Sequence, residues 1–183
     1  MAKIETSILL NDLKSKTEFC IKEAKRFLKQ NEGKLNNRPN PETWSILQCI
    51  DHLNQYGDYY IPQMETAMKS SEVKPNFYFG PGFIGNMFAK AMHPTLGSNK
   101  MQAPADKTPS NSDLSKDVLN LFIEQQKSYL EVLKTAENKN LNKIKIKVTI
   151  SKWVKLKLGD ALRVTIFHNE RHVRQAIKAS KNN

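Results

Sequence analysis

Four stretches of this chain repeat apolar side chains at three- and four-residue steps, and one long connection separates the second from the third. That period marks amphipathic helices, and four such helices bury their stripes best against one another. The first stripe, within residues 3–31, runs Leu9, Leu13, Thr17, Cys20, Ala24, Phe27 and Leu28; Gly33 and Asn36-Asn37-Arg38-Pro39 end it. The second runs Ile46, Ile50, Leu53, Gly57, Tyr60, Ile61, Met64 and Met68. Asn40 suits its N-cap and Pro41 its first helical position, while Pro62 predicts a kink. The third starts near Ser110–Asp113 and runs Val118, Phe122, Gln125, Tyr129, Val132, Leu133 and Ala136. The last begins around Gly159-Asp160, carries Leu162, Ile166, Val173, Ala176 and Ile177, and continues to about Ala179.

The connection at residues 70–111 is long for a small domain, which argues for a job of its own. Its Phe83, Ile84, Met87, Phe88, Ala91 and Met92 are spaced for one short helix, closed by His93-Pro94 and packed as a cover over the core. Before the last helix, Ile144, Ile146, Val148 and Ile150 alternate with Lys143, Lys145, Lys147 and Thr149, the period of an extended segment with one face covered. The expected architecture is all-α: a four-helix bundle with a long connection between helices 2 and 3 and a short extended segment before the last helix. One domain over residues 1–183 is expected, since this length buries a core without staples.

Cys20 and Cys49 sit on helical stripes without a CxxC spacing, which reads as two buried free thiols in a reducing compartment. The N-terminal residues carry Lys3 and Glu5 and show no apolar secretory core, and no apolar run is long enough to span a bilayer. A cytoplasmic protein without a membrane partner is expected. The formal charge of +11 favours anionic partners or a solubilising surface, and the lysines are spread along the chain.

The residues that point to chemistry are His168 and His172, four apart on the last helix. Such a pair shares one helical face, and both imidazoles can reach one metal ion at about 2.0–2.1 Å. His168 and His172 belong to a mixed row with Ala161, Thr165, Gln175 and Ala179. On the second helix His52 lies in a matching row with Ser45, Cys49, Tyr56, Tyr59 and Gln63. Each row flanks an apolar stripe, as the lining of a pocket would. Glu170 and Asp51 project off the histidines' faces, so no general base is apparent.

The segment from Asn40 to Leu53, with Trp44-Ser45 and His52-Leu53, resembles the Trp-Ser…His-Leu element of the DinB-like superfamily. Phe167 to Gln175 resembles that family's His-x-x-x-His-x-x-Gln element, and order, separation and length agree. The resemblance implies a four-helix bundle holding one divalent metal, zinc or nickel, through His52, His168 and His172. It also implies a metal-dependent enzyme on a small-molecule substrate: a thiol S-transferase with a low-molecular-weight thiol such as bacillithiol or mycothiol, a thiol-dependent isomerase, or a hydrolase. Tyr56 and Gln175 are the expected pocket residues beside the ligands, and a monomer or homodimer is expected. Nucleic acid is not the expected partner. The alternative is a basic binding protein with a structural or absent metal, in which Lys143, Lys145, Lys147, Lys152, Lys155 and Lys157 around Trp153 meet nucleic acid or another anion.

Overall fold

A computed structural model describes residues 2–38, 40, 42–95, 109, 112–149 and 151–181. Pro39, Pro41, Ser110 and Ile150, named above, and residues 96–108 of the long connection lie outside the described residues. The chain begins with strand β1 (Ile4–Glu5), then helices α1 (Thr6–Leu28), α2 (Glu32–Asn36) and α3 (Ile46–Lys69). Strand β2 (Tyr78–Phe79), α4 (Phe83–Met92) and α5 (Asp117–Ala136) follow, and the hairpin β3 (Lys145–Val148) and β4 (Ser151–Lys157) leads into α6 (Leu158–Lys181).

The four long helices, α1, α3, α5 and α6, form the expected bundle. Helix α1 packs against α5 and α6, and α3 packs against the same two, so α1 and α3 occupy one diagonal. The link over residues 29–45, which contains α2, spans this diagonal, whereas a short turn would put α1 beside α3. No described helix is long and apolar enough to cross a membrane.

The starts of the elements differ from expectation for local reasons. Helix α3 begins after Ser45, not Asn40: Ser45 Oγ accepts from Gln48 N–H at 3.1 Å, and Gln48 Oε1 accepts from Ser45 N–H at 2.9 Å. That reciprocal box satisfies two of the end's orphan donors. Asn40 instead closes a turn, accepting from Glu42 N–H on its side chain and from Thr43 N–H on its carbonyl. Helix α3 continues through Pro62. Residues 4–5 are not helical because Ile4 and Glu5 pair antiparallel with Phe79 and Tyr78. Gly33 does not stop the first region either; it lies inside α2, capped by the Asn31 side chain. Helix α5 begins at Asp117, later than expected, where Ser115 Oγ accepts the Asp117 N–H.

The single extended segment is in fact a hairpin. Lys145 pairs with Lys157, Ile146 with Leu156 and Lys147 with Lys155, with an irregularity before Val148 pairs with Ser151. Ile146, Val148 and Leu156 face the bundle, and Lys145, Lys147 and Lys155 face outward. Helix α4 exists where expected, and Phe88 and Met92 of its apolar stripe pack half-buried on the core. Its fully buried residues are the small Gly85 and Ala89, while Phe83, Ile84 and Met87 are exposed. A Cβ at position 85 would lie 2.4 Å from Asp160 Cγ, so only glycine lets α4 approach the start of α6 this closely.

The core divides into two apolar clusters. One gathers Leu13, Tyr60, Met64, Tyr129, Leu162 and Ile166 with the hairpin's inner face; the other gathers Cys20, Phe27, Ile50, Leu53, Phe122 and Val173. Between them on every long helix lies a buried polar belt: Thr17, then His52 and Asn54, then Gln125 and Gln126, then His168, Asn169 and Glu170. Gln125 Nε2 donates to Asn54 O at 3.0 Å and Asp58 Oδ1 at 2.8 Å, and Asn169 Nδ2 donates to Gln126 Oε1 at 3.2 Å. Gly57 makes room for this belt, since a Cβ there would lie 2.1 Å from Gln125 Oε1.

Cys20 and Cys49 are free and buried in the second cluster. Burial pushes both thiols up, Cys49 to about 12. Thiolate is the reactive form, so a thiol reagent at neutral pH is expected to leave the folded protein unlabelled and to modify both cysteines in denaturant. Rapid labelling of either in the native state would contradict this packing.

Candidate metal centre

Helices α3 and α6 are neighbours, and the polar belt places His52 of one opposite His168 of the other. Their Nε2 atoms lie 3.3 Å apart. His172 follows one turn later on α6, and the three side chains present nitrogens that all lie within 4.8 Å of one another. An ion bound tetrahedrally at about 2.0–2.1 Å separates its donor nitrogens by about 3.3–3.4 Å, so the His52–His168 pair already stands at the spacing of shared ligation.

The surroundings hold the rings in this pose. His172 Nδ1 lies 3.0 Å from Gln175 Oε1. An amide oxygen only accepts, so Nδ1 carries the proton and Nε2 keeps its lone pair. The Trp44 ring stacks on His172 with centroids 5.6 Å apart and tilts against His52 at 4.9 Å. Tyr56 packs edge-on to His52 at 5.0 Å and to His168 at 4.8 Å. Trp44 therefore serves both as a support for the second apolar cluster and as a wall of the site.

Burial first, then the neighbouring imidazoles and Arg171, push His168 well below the ordinary histidine range and His172 down to about 3. Both are neutral at pH 7, the state in which imidazole donates to a metal. Neutral donors and a pair at the right spacing fit a divalent metal ion. His52 and His168 are buried while His172, Trp44 and Tyr56 are only partly covered, so the open side lies toward these three.

Other residues weighed from the sequence lie elsewhere. Glu170 is buried on the side of α6 toward α1, bonded to Arg174 at 2.7 Å and facing Lys16 at 3.6 Å. Asp51 meets only its helical neighbour Gln55 among the bonds described for it. His93 caps α4, accepts from Thr95 N–H on Nδ1 and rests on Phe167. Sequence reasoning missed Arg171, whose Nη1 donates to Ala91 O at 2.6 Å and so fastens the end of α4 beside the histidines. It also missed the amide belt, although Asn54, Gln126 and Asn169 interrupt or flank apolar stripes in the sequence.

The family model for the DinB superfamily matches residues 24–176. The chain belongs to the DinB superfamily. That span takes in Trp44, the three histidines and Gln175, and it covers most of the bundle. No curated protein matches, and no solved structure does. DinB-like proteins are metal-binding, and the three histidines brought together here could hold such an ion.

Gln175 lends itself to a graded test. Loss of an outer partner of a metal-bound histidine costs about 10- to 100-fold in affinity. Gln175→Ala is expected to weaken zinc binding within that range, measured by chelator competition, while Gln175→Glu retains or strengthens it. Equal affinity in the parent and the alanine variant would remove this role.

Proposed function

We propose that this DinB-like protein is a metal-dependent enzyme acting on a small molecule, with His52, His168 and His172 holding one divalent ion. Thiol S-transfer is the leading reaction and hydrolysis the second. The observation that carries the reading is the convergence of three imidazoles, two of them at ligand spacing, at one partly open edge of an otherwise closed bundle. Bound there, a divalent ion supplies Lewis-acid chemistry that makes a thiol or a water molecule nucleophilic at neutral pH.

The chain's own groups then have distinct parts. His52 and His168 supply donors from the dry belt, and His172, held by Gln175, supplies the one nearest solvent. Trp44 and Tyr56 wall the opening, and the Tyr56 phenol is the group we assign to meet a polar atom of the substrate. In S-transfer the thiol gives up its proton, its sulfur forms a bond to an electrophilic carbon, and the electrophile's leaving group departs.

The test is a panel of low-molecular-weight thiols, bacillithiol and mycothiol among them, each incubated with a fluorogenic electrophile and metal-loaded protein. Thioether formation that needs both the loaded metal and His172 supports S-transfer. Acceleration of ester or amide cleavage without any thiol would move the assignment to hydrolysis. Acceleration of neither would overturn the enzymatic reading.

A further inference from the structure

We propose that the hairpin β3–β4 and α4 together form a docking surface for an anionic phospholipid bilayer. The lysines are spread along the chain, but the net charge is not. No acidic residue lies between Glu72 and Asp106, and none between Glu137 and Asp160. The first stretch holds three lysines and the second seven, so the two account for ten of the eleven units of formal charge. Elsewhere acids and bases nearly cancel.

The fold brings the hairpin and α4, described elements within these two stretches, next to each other. Strand β3 lies on α3, β4 lies on α6, and α4 runs along α6 beside β4. Lys157 Nζ donates to Gly80 O and joins the hairpin to the turn that opens α4. On the hairpin's outer face Lys145 stands opposite Lys157 and Lys147 opposite Lys155. Like charges directly across a strand pair destabilise it, and no carboxylate in the hairpin relieves them. A polyanionic surface would.

The same layer carries exposed apolar bulk. Trp153, in the irregular stretch of β4 just before Lys155, is 93% exposed. Phe83 is 80%, Met87 51% and Ile84 44% exposed on the outer side of α4. Headgroup phosphates match the ammonium groups, the indole suits the interface, and the α4 side chains suit the acyl boundary. A nucleic acid would engage the lysines and Trp153 but leave Phe83, Ile84 and Met87 in water, which is why the bilayer is favoured. The expectation of no membrane partner rested on the lack of a spanning segment, and a surface contact needs none. This surface is argued independently of the metal.

The test is binding of the full chain to phosphatidylcholine vesicles with and without about a third phosphatidylglycerol. Each lysine near an anionic surface contributes about a fivefold factor in partitioning. Binding to the anionic vesicles is expected to exceed binding to neutral ones by more than tenfold and to fall with salt. Lys145→Glu/Lys147→Glu/Lys155→Glu should lower it by about 100-fold or more. Lys14→Glu/Lys22→Glu/Lys25→Glu, on exposed positions of α1, changes net charge equally and should retain most of it. The chain has two tryptophans, and the emission blue shift on binding should vanish in Trp153→Phe. Circular dichroism checks that each variant folds, and Phe83→Ser/Met87→Ser weakens vesicle binding without touching the lysines. No binding to anionic vesicles at low salt overturns the proposal, as does equal loss in both lysine variants. Tighter binding to a single-stranded oligonucleotide, unaffected by Phe83→Ser/Met87→Ser, overturns it in favour of a nucleic-acid surface.

Discussion

Elemental analysis of the protein purified without an affinity tag is expected to return close to one divalent ion per chain, and His168→Ala/His172→Ala close to none. Losing an outer-shell partner alone costs about 10- to 100-fold in affinity, so losing two ligands should cost well over 100-fold. The variant should still fold. Its two apolar clusters do not depend on the histidines, and circular dichroism should report the same helix content. Cobalt offers an independent readout: three imidazoles give a visible spectrum that the variant lacks. A parent that takes up no zinc, nickel or cobalt from a panel of divalent salts would sink the metal-dependent reading outright.

The second large effect concerns Asp160. Its Oδ2 accepts the Gly82 N–H at 2.8 Å, and its Oδ1 faces Arg163 Nη1 at 3.3 Å. Arg163 in turn donates to Asn86 Oδ1 at 3.1 Å, so this small network fastens both the cap and the first turn of α4 to α6. Asp160→Ala leaves the buried Arg163 without its counter-charge, a change that costs about 3–5 kcal/mol at buried pairs. At the lower figure the melting temperature falls by roughly 6–12 °C in a chain of this size. Burial pushes the Asp160 carboxyl above its usual range despite Gly82, Arg163 and Lys157, so for the ionised form lost hydration outweighs the attraction. Asp160→Asn keeps an acceptor for the Gly82 N–H but removes the same counter-charge, so it should recover only about 0.5–1.5 kcal/mol of that loss. A melting temperature unchanged in Asp160→Ala would show that α4 is held by its apolar contacts alone.

The sequence made the bundle visible because four stripes of period 3.6 are long, and a long stripe averages out local exceptions. It was poor at edges. Asn40-Pro41-Glu42 is as good a helix start, read locally, as Ser45 with Gln48; only the tertiary position of the α3 start separates them. The β1–β2 pair was invisible, since two residues carry no period and Ile4 finds its partner at Phe79. Helix α4 misled for a different reason. Its large apolar residues look like a buried face, but close approach to Asp160 selects Gly85 and Ala89 for the inside. At the candidate site, the spacing of His168 and His172 was legible as one face of one helix. His52 came from the family resemblance, because nothing local ties a lone histidine to a partner 116 residues away. The concentration of net charge escaped notice because it arises from missing acids, which a survey of lysines does not register.

The buried amide belt has a mechanical consequence. Two helices packed only through leucine and isoleucine can slide by a turn, about 5.4 Å, and find nearly equivalent contacts. Here such a slip would set Asn54, Gln125, Gln126 and Asn169 against aliphatic carbon and leave their polar groups unanswered, a penalty of about 1–3 kcal/mol for each. The belt thus works as an alignment key cut at the same height as His52 and His168. Helix register, and with it the distance between the two imidazoles, is fixed by amide hydrogen bonds that owe nothing to any ion.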